Sequence, residues 1–166
     1  ALEQATQIAR SVGPFVSVVG LFVNASVDEI DVVLSAVDLH VLQFHGDEDE
    51  AFCTQFHRPY MKALRMKPEL DVLQAMSAYP SASAILLDAY REGVPGGTGE
   101  TFDWSRIPRK TDTPVVLAGG LTPENIQLAA AAVSVYGVDV SGGVEASKGC
   151  KSARKVSTFI NRAKTK

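Results

Sequence analysis

Six times along this 166-residue chain a short apolar run ends in polar or glycine residues. The runs are Val16–Phe22, Val41–Phe44, Met61–Arg65, Ala84–Leu87, Val115–Leu117 and Val138–Val140, each rich in Val, Leu or Ile. Short strands of nearly continuous apolar character read as buried on both faces, the condition of a parallel sheet covered by helices. The segments between them have helical period and helix starts. Ser26-Val27-Asp28-Glu29 is a capping-box pattern ahead of an apolar face made by Ile30, Val33, Leu34 and Val37. Thr122-Pro123-Glu124-Asn125 places an N-cap hydroxyl before a proline at the first helical position. Glu69 to Tyr79, Ser152 to Lys164 and Ala1 to Ser11 also read as helices.

Repeated strand–helix units predict a parallel α/β fold, either a doubly wound open sheet or a closed barrel. The open dinucleotide-binding sheet needs a Gly-rich turn after its first strand, and none is present. Polar and glycine residues instead follow strand after strand: Asn24, His45-Gly46-Asp47, Asp88, Gly119-Gly120 and Ser141-Gly142-Gly143. A barrel builds its site on one rim from the loops after many strands, so the pattern predicts a (β/α)₈ TIM barrel. Six strands fall short of eight, and the chain begins in a helix. The expectation is therefore an incomplete single-domain barrel over residues 1–166, holding strands three to eight. Strand one, helix one and strand two would be lacking.

A composition of 46% hydrophobic and 21% charged residues is that of a folded globular chain. The net charge of -3, with Lys and Arg scattered, gives no basic patch for nucleic acid. No apolar run reaches the length of a membrane span, and the first residues lack the pattern of a signal peptide. Cys53 and Cys150 lie far apart without metal-ligand spacing, which predicts no metal site and a reducing, cytoplasmic setting.

The turns Ala118-Gly119-Gly120 and Ser141-Gly142-Gly143 follow the last two strands, where barrels frequently seat a phosphate on backbone N–H groups. The alternative is that these glycines only allow tight turns. Asp88 ends its strand where a carboxylate would face the rim as a general acid, or would cap the following loop. Gly93 to Gly99 reads as a rim loop able to close over substrate. His45 sits just past a strand as a binding residue or a structural one, and the acidic residues after it could simply start the next helix. Asp139 lies within the last run, facing the pocket or buried. His40, His57, Cys53 and Cys150 read as non-catalytic.

Taken in order, these stretches resemble the phosphoribosylanthranilate isomerase family of tryptophan biosynthesis. The resemblance rests on Val19 to Asn24, Leu42-Gln43-Phe44-His45-Gly46-Asp47-Glu48, Leu86-Leu87-Asp88-Ala89, and Gly96-Gly97-Thr98-Gly99 leading to Phe102-Asp103-Trp104. It continues through Leu117 to Asn125 and Tyr136 to Glu145. It implies a cofactor- and metal-free Amadori rearrangement of N-(5′-phosphoribosyl)anthranilate, a small phosphorylated substrate. It also implies Asp88 as the acid that protonates the ring oxygen, with Gly119, Gly120, Ser141 and Gly143 around the phosphate. His45 and Asp139 would take further rim positions near the substrate. The family's strand-one cysteine base and the arginine after strand two have no counterpart, and Gly142 stands where a second serine is common. The resemblance thus predicts impaired activity for this chain alone, and strand edges open to a missing segment or a second copy. A non-catalytic phosphate-binding fragment and another sugar-phosphate isomerase or epimerase barrel are the alternatives.

Overall fold

The computed structural model describes residues 2–90 and 101–164. The chain divides into two compact units, residues 1–63 with 78–83, and residues 64–77 with 84–166.

In the first unit α1 (Leu2–Ser11) precedes β1 (Val19–Phe22), α2 (Val27–Ala36), β2 (Val41–Phe44), α3 (Glu50–Thr54) and the start of β3 (Tyr60–Arg65). The strands are parallel in the order β1-β2-β3, with Val19 opposite Val41 and Leu42 opposite Tyr60. The expected capping box forms: Ser26 accepts from the Glu29 N–H, and the Glu29 carboxylate accepts from the Ser26 N–H at 2.8 Å. Phe44 is fully buried, its ring in contact with those of Phe22, Phe52, Phe56 and Tyr60. The expectation of burial on both faces fails for β1, where Val19 and Leu21 are exposed while Gly20 and Phe22 turn toward Leu39 and Phe44. An apolar run shows that one face is covered, and the other face depends on what lies against it.

The second unit holds the end of β3, α4 (Val72–Ser77), β4 (Ala84–Asp88), β5 (Val115–Leu117), α5 (Ile126–Ala132), β6 (Gly137–Val138), β7 (Glu145–Ser147), β8 (Cys150–Lys151) and α6 (Ala153–Lys164). The order β4-β5-β6 is parallel, with Ile85 opposite Val115 and Val116 opposite Gly137. Ile85, Leu86, Leu87, Leu117 and Ile126 are fully buried.

Several boundaries move. The helix expected over Glu69–Tyr79 shortens to Val72–Ser77, because Leu70 closes a turn back to the Lys67 carbonyl first. The helix expected from Thr122 begins at Ile126, since Thr122 and Asn125 bond each other in a separate turn. The last parallel strand is Gly137–Val138 rather than Val138–Val140, and this places Asp139 just beyond it and exposed. The chain leaves extended geometry there for a 3₁₀ turn, Gly142–Val144. A β7–β8 antiparallel pair, absent from the sequence reading, follows that turn.

Candidate functional site

In the second unit, β4 delivers Asp88 as its last residue, only 5% exposed. The Met66 N–H donates to the Asp88 carbonyl at 2.9 Å, which fixes the backbone at this strand end. The next strand turns sharply at Gly119 (φ +81) and Gly120 (φ +63), a region favourable to glycine. A Cβ on Gly119 would run into the Ala89 backbone nitrogen and lie 2.8 Å from an Asp88 carboxylate oxygen. The carboxylate and the glycine turn are therefore immediate neighbours. Asn125 holds the turn by donating to the Gly120 carbonyl at 2.9 Å.

The second turn packs on the first. A Cβ on Gly143 would collide with the Leu121 carbonyl oxygen, whereas one on Gly142 would meet nothing within 4 Å. Gly143 is the close-approach glycine, and Gly142 faces open space next to the exposed Ser141. Gly119, Gly120, Ser141 and Gly143 are thus gathered at the ends of β5 and β6, with an acid beside them. Such an arrangement can receive an anion on backbone N–H groups and offer a proton donor close by. Asp139 stands next to the second turn.

His45, in the first unit, follows β2 and is buried at 9% exposure. The Gln43 side-chain nitrogen lies 3.0 Å from its Nδ1, and a donor there leaves the proton of a neutral ring on Nε2. The residues around it form a closed polar network. Glu48 accepts from the Asn24 N–H at 2.7 Å, the Gly46 N–H at 2.9 Å and Lys62 Nζ at 2.8 Å. Lys62 also donates to the Gly46 carbonyl at 2.8 Å, and Tyr79 donates to the Glu48 carbonyl at 2.9 Å. Burial pushes the Glu48 carboxyl up, but the Lys62 ammonium and the backbone donors outweigh it, so its pKa falls below the ordinary value. Glu48 thus braces this loop, and the helix start comes at Asp49, whose carboxylate accepts from the Phe52 N–H at 2.8 Å.

Cys53 is buried and its thiol is pushed up to about 12 by desolvation, which bars it from acting as a base near neutrality. Cys150 is exposed on β8. His40 is structural, its Nδ1 accepting from the Val18 N–H at 3.0 Å. The Gly93–Gly99 loop lies outside the described residues. Within the Phe102-Asp103-Trp104 motif, Asp103 caps a 3₁₀ turn that aims Arg106 at the carbonyls of Met66, Lys67 and Leu70. Among the described residues no cluster of potential metal ligands occurs, and no helix is long and apolar enough to cross a membrane.

Two lysines escaped the sequence reading. Lys62 carried a signal, a cation inside the apolar run Met61–Arg65. Lys151 carried none, because its position depends on the unexpected β7–β8 pair.

The profile of the N-(5'phosphoribosyl)anthranilate (PRA) isomerase family matches residues 1–162. The chain is 60% identical over 162 residues to the N-(5'-phosphoribosyl)anthranilate isomerase of Cellvibrio japonicus (strain Ueda107), covering 98% of this chain and 75% of that protein. The phosphoribosyl anthranilate isomerase crystal structure from Thermotoga maritima superposes with a TM-score of 0.82 at 34% identity, covering 99% of this chain and 80% of that one. A further phosphoribosyl anthranilate isomerase structure, in complex with reduced 1-(o-carboxyphenylamino)-1-deoxyribulose 5-phosphate, gives a TM-score of 0.78 at 33% identity, with coverages of 99% and 79%. These likenesses show a TIM-barrel-like α/β fold. They do not match the finer expectation of strands three to eight of an incomplete barrel. The matches take in nearly all of this chain and between 75% and 80% of the length of those proteins.

Proposed function

The chain belongs to the N-(5'-phosphoribosyl)anthranilate isomerase family, and on that premise we propose that it carries the acid and the phosphate seat of the Amadori rearrangement of N-(5′-phosphoribosyl)anthranilate. The observation that carries this reading is the contact between the Asp88 carboxylate and the Gly119 turn. A sugar phosphate anchored by Gly119, Gly120, Ser141 and Gly143 has its ring a few bonds away, within reach of an acid beside the anchor. Asp88 gives its proton to the furanose oxygen, and the C1′–O bond breaks as the nitrogen lone pair forms an iminium. Loss of the C2′ proton to a base, the role of the family's strand-one cysteine that has no counterpart among these residues, gives an enol that tautomerises to the 1-amino-1-deoxy-2-ketose, so the overall change is an isomerisation without a co-reactant. His45 and Asp139 are assigned to substrate binding in the same reading. A small phosphorylated ligand as partner, one barrel domain and a cytoplasmic setting complete it.

Replacing Asp88 with Asn keeps shape and hydrogen-bonding capacity but removes the transferable proton. Turnover of N-(5′-phosphoribosyl)anthranilate should fall by roughly 10²–10⁴-fold, while the reduced product analogue still binds. Unchanged turnover would remove Asp88 from the acid role. Failure of the wild-type chain to bind the reduced product analogue would overturn the assignment of the substrate to this site.

A further inference from the structure

Lys151 stands directly on Ser141. Its Nζ donates to the Ser141 carbonyl at 2.9 Å, to Ser141 Oγ at 3.1 Å and to a Glu145 carboxylate oxygen at 2.9 Å. An ammonium has three donors and no acceptor, so these three contacts use its full capacity. A hydroxyl has one proton and two acceptor lone pairs. With one lone pair of Oγ facing the ammonium, the Ser141 proton is left to donate to something else.

The β7–β8 pair explains how a lysine ten residues further on reaches this point. Glu145 lies opposite Lys151 in the register, with a shift between Glu145 and Ser147. Lys155 Nζ, from α6, donates to the Glu145 carbonyl at 2.7 Å, and the Ser152 N–H donates to the Val144 carbonyl at 2.8 Å. The carboxylate that holds Lys151 is thus itself fixed from the helix side. Hydrogen bonding to Lys151 keeps the Glu145 carboxyl below its ordinary pKa, so it is ionised at neutral pH. The Lys151 side chain remains 47% exposed. An exposed ion pair contributes only about 0–1 kcal/mol to stability, which leaves the contact with Ser141 as the feature to account for.

We propose that Lys151 is a positioning residue for the substrate phosphate, fixing the Ser141 hydroxyl as a donor toward the bound anion and holding a positive charge one oxygen away. The inference rests on the reading of the Ser141–Gly143 turn as part of the phosphate seat. It adds a cation to a site otherwise made of neutral backbone N–H groups and a hydroxyl. A phosphate dianion gains from such a cation more than a neutral sugar would.

Calorimetric titration of the 166-residue chain with inorganic phosphate and with the reduced product analogue tests it, at fixed ionic strength. The variants are Lys151→Met, Lys151→Arg, Ser141→Ala and the Met/Ala double variant, with thermal melts to confirm folding. Lys151→Met should weaken binding of the analogue by roughly 10-fold to 100-fold, and Lys151→Arg should restore most of it. Acting through Ser141 makes the losses non-additive, so the double variant should bind little worse than the weaker single variant. Wild-type affinity in Lys151→Met overturns the proposal, as do losses that simply multiply. Should Lys151→Met fail to fold, Lys151→Gln set against its own double variant with Ser141→Ala gives the same coupling test. Absence of binding to either probe by the wild-type chain overturns the phosphate reading beneath it, and this inference with it.

Discussion

Both units place polar residues just after their parallel strands, yet they use them oppositely. After β2, Glu48 is enclosed at 3% side-chain exposure with Lys62 of β3 at 2%, the two bonded to each other and to the backbone of Asn24 and Gly46. After β5 and β6, the groups lie open: Ser141 is exposed, Gly142 has no neighbour where a side chain would be, and Lys151 is half in solvent. In the first region charge braces a loop, and in the second it waits at a surface. A polar residue after a strand is therefore no sign of a ligand until its partners are known.

Removing the cation from each region should separate these roles most sharply. Lys62→Met leaves the Glu48 carboxylate buried without its counter-charge, which should cost about 3–5 kcal/mol. At roughly 2–4 °C per kcal/mol for a chain of this size, the melting temperature should fall by about 6–20 °C. Lys151→Met should move it by a degree or two at most. Equal shifts in the two variants, measured by thermal circular dichroism, would erase the distinction.

Glycine substitution probes the open region from the backbone side. Gly119→Ala meets a positive φ and the Ala89 backbone nitrogen together, and the positive φ alone should cost about 1–3 kcal/mol. Gly142→Ala, with open space around it, should leave stability within about 0.5 kcal/mol. Urea denaturation of the two variants reads the difference, and a costly Gly142→Ala would show that the turn is not open.

The contrast was only partly legible in the sequence. The apolar strand runs, the Ser26 capping box and the glycine turns could be read because each is a local pattern with a local cause. Asp88 and the Gly119 turn could be placed at strand ends by counting residues, but their contact follows from the pairing of β4 with β5. The role of Glu48 was hidden, because its ammonium partner lies fourteen residues away on the next strand. Lys151 was hidden more deeply. Its approach to Ser141 needs a hairpin of two very short strands, too brief to leave a periodic signal.

Acid should act on the braced region with a definite sign. The folded-state pKa of Glu48 lies below its ordinary value near 4.5. Its stabilisation is therefore fully present above the unfolded pKa and is lost as pH falls through the folded one. In Lys62→Met the balance reverses, because burial then raises the pKa and protonation relieves the isolated charge. The stability gap between wild type and Lys62→Met should accordingly narrow as pH drops from 7 through 4.5 toward 3.5, followed by chemical denaturation at each pH. A gap that stays constant would mean that Glu48 does not carry the ionic part of the brace.

The smallest expected effect is the most discriminating. Ser141→Ala removes an exposed hydroxyl that accepts from the exposed Lys151 ammonium, so stability should change by no more than about 0.5 kcal/mol. The same change deletes the only side-chain hydroxyl of the Ser141-Gly142-Gly143 turn. If that turn seats a phosphate, analogue binding should weaken several-fold while the melting temperature holds. If the hydroxyl instead serves as a brace like those after β2, the melting temperature should fall and binding should follow only as the folded fraction declines. The two measurements on one variant decide which kind of strand end this is.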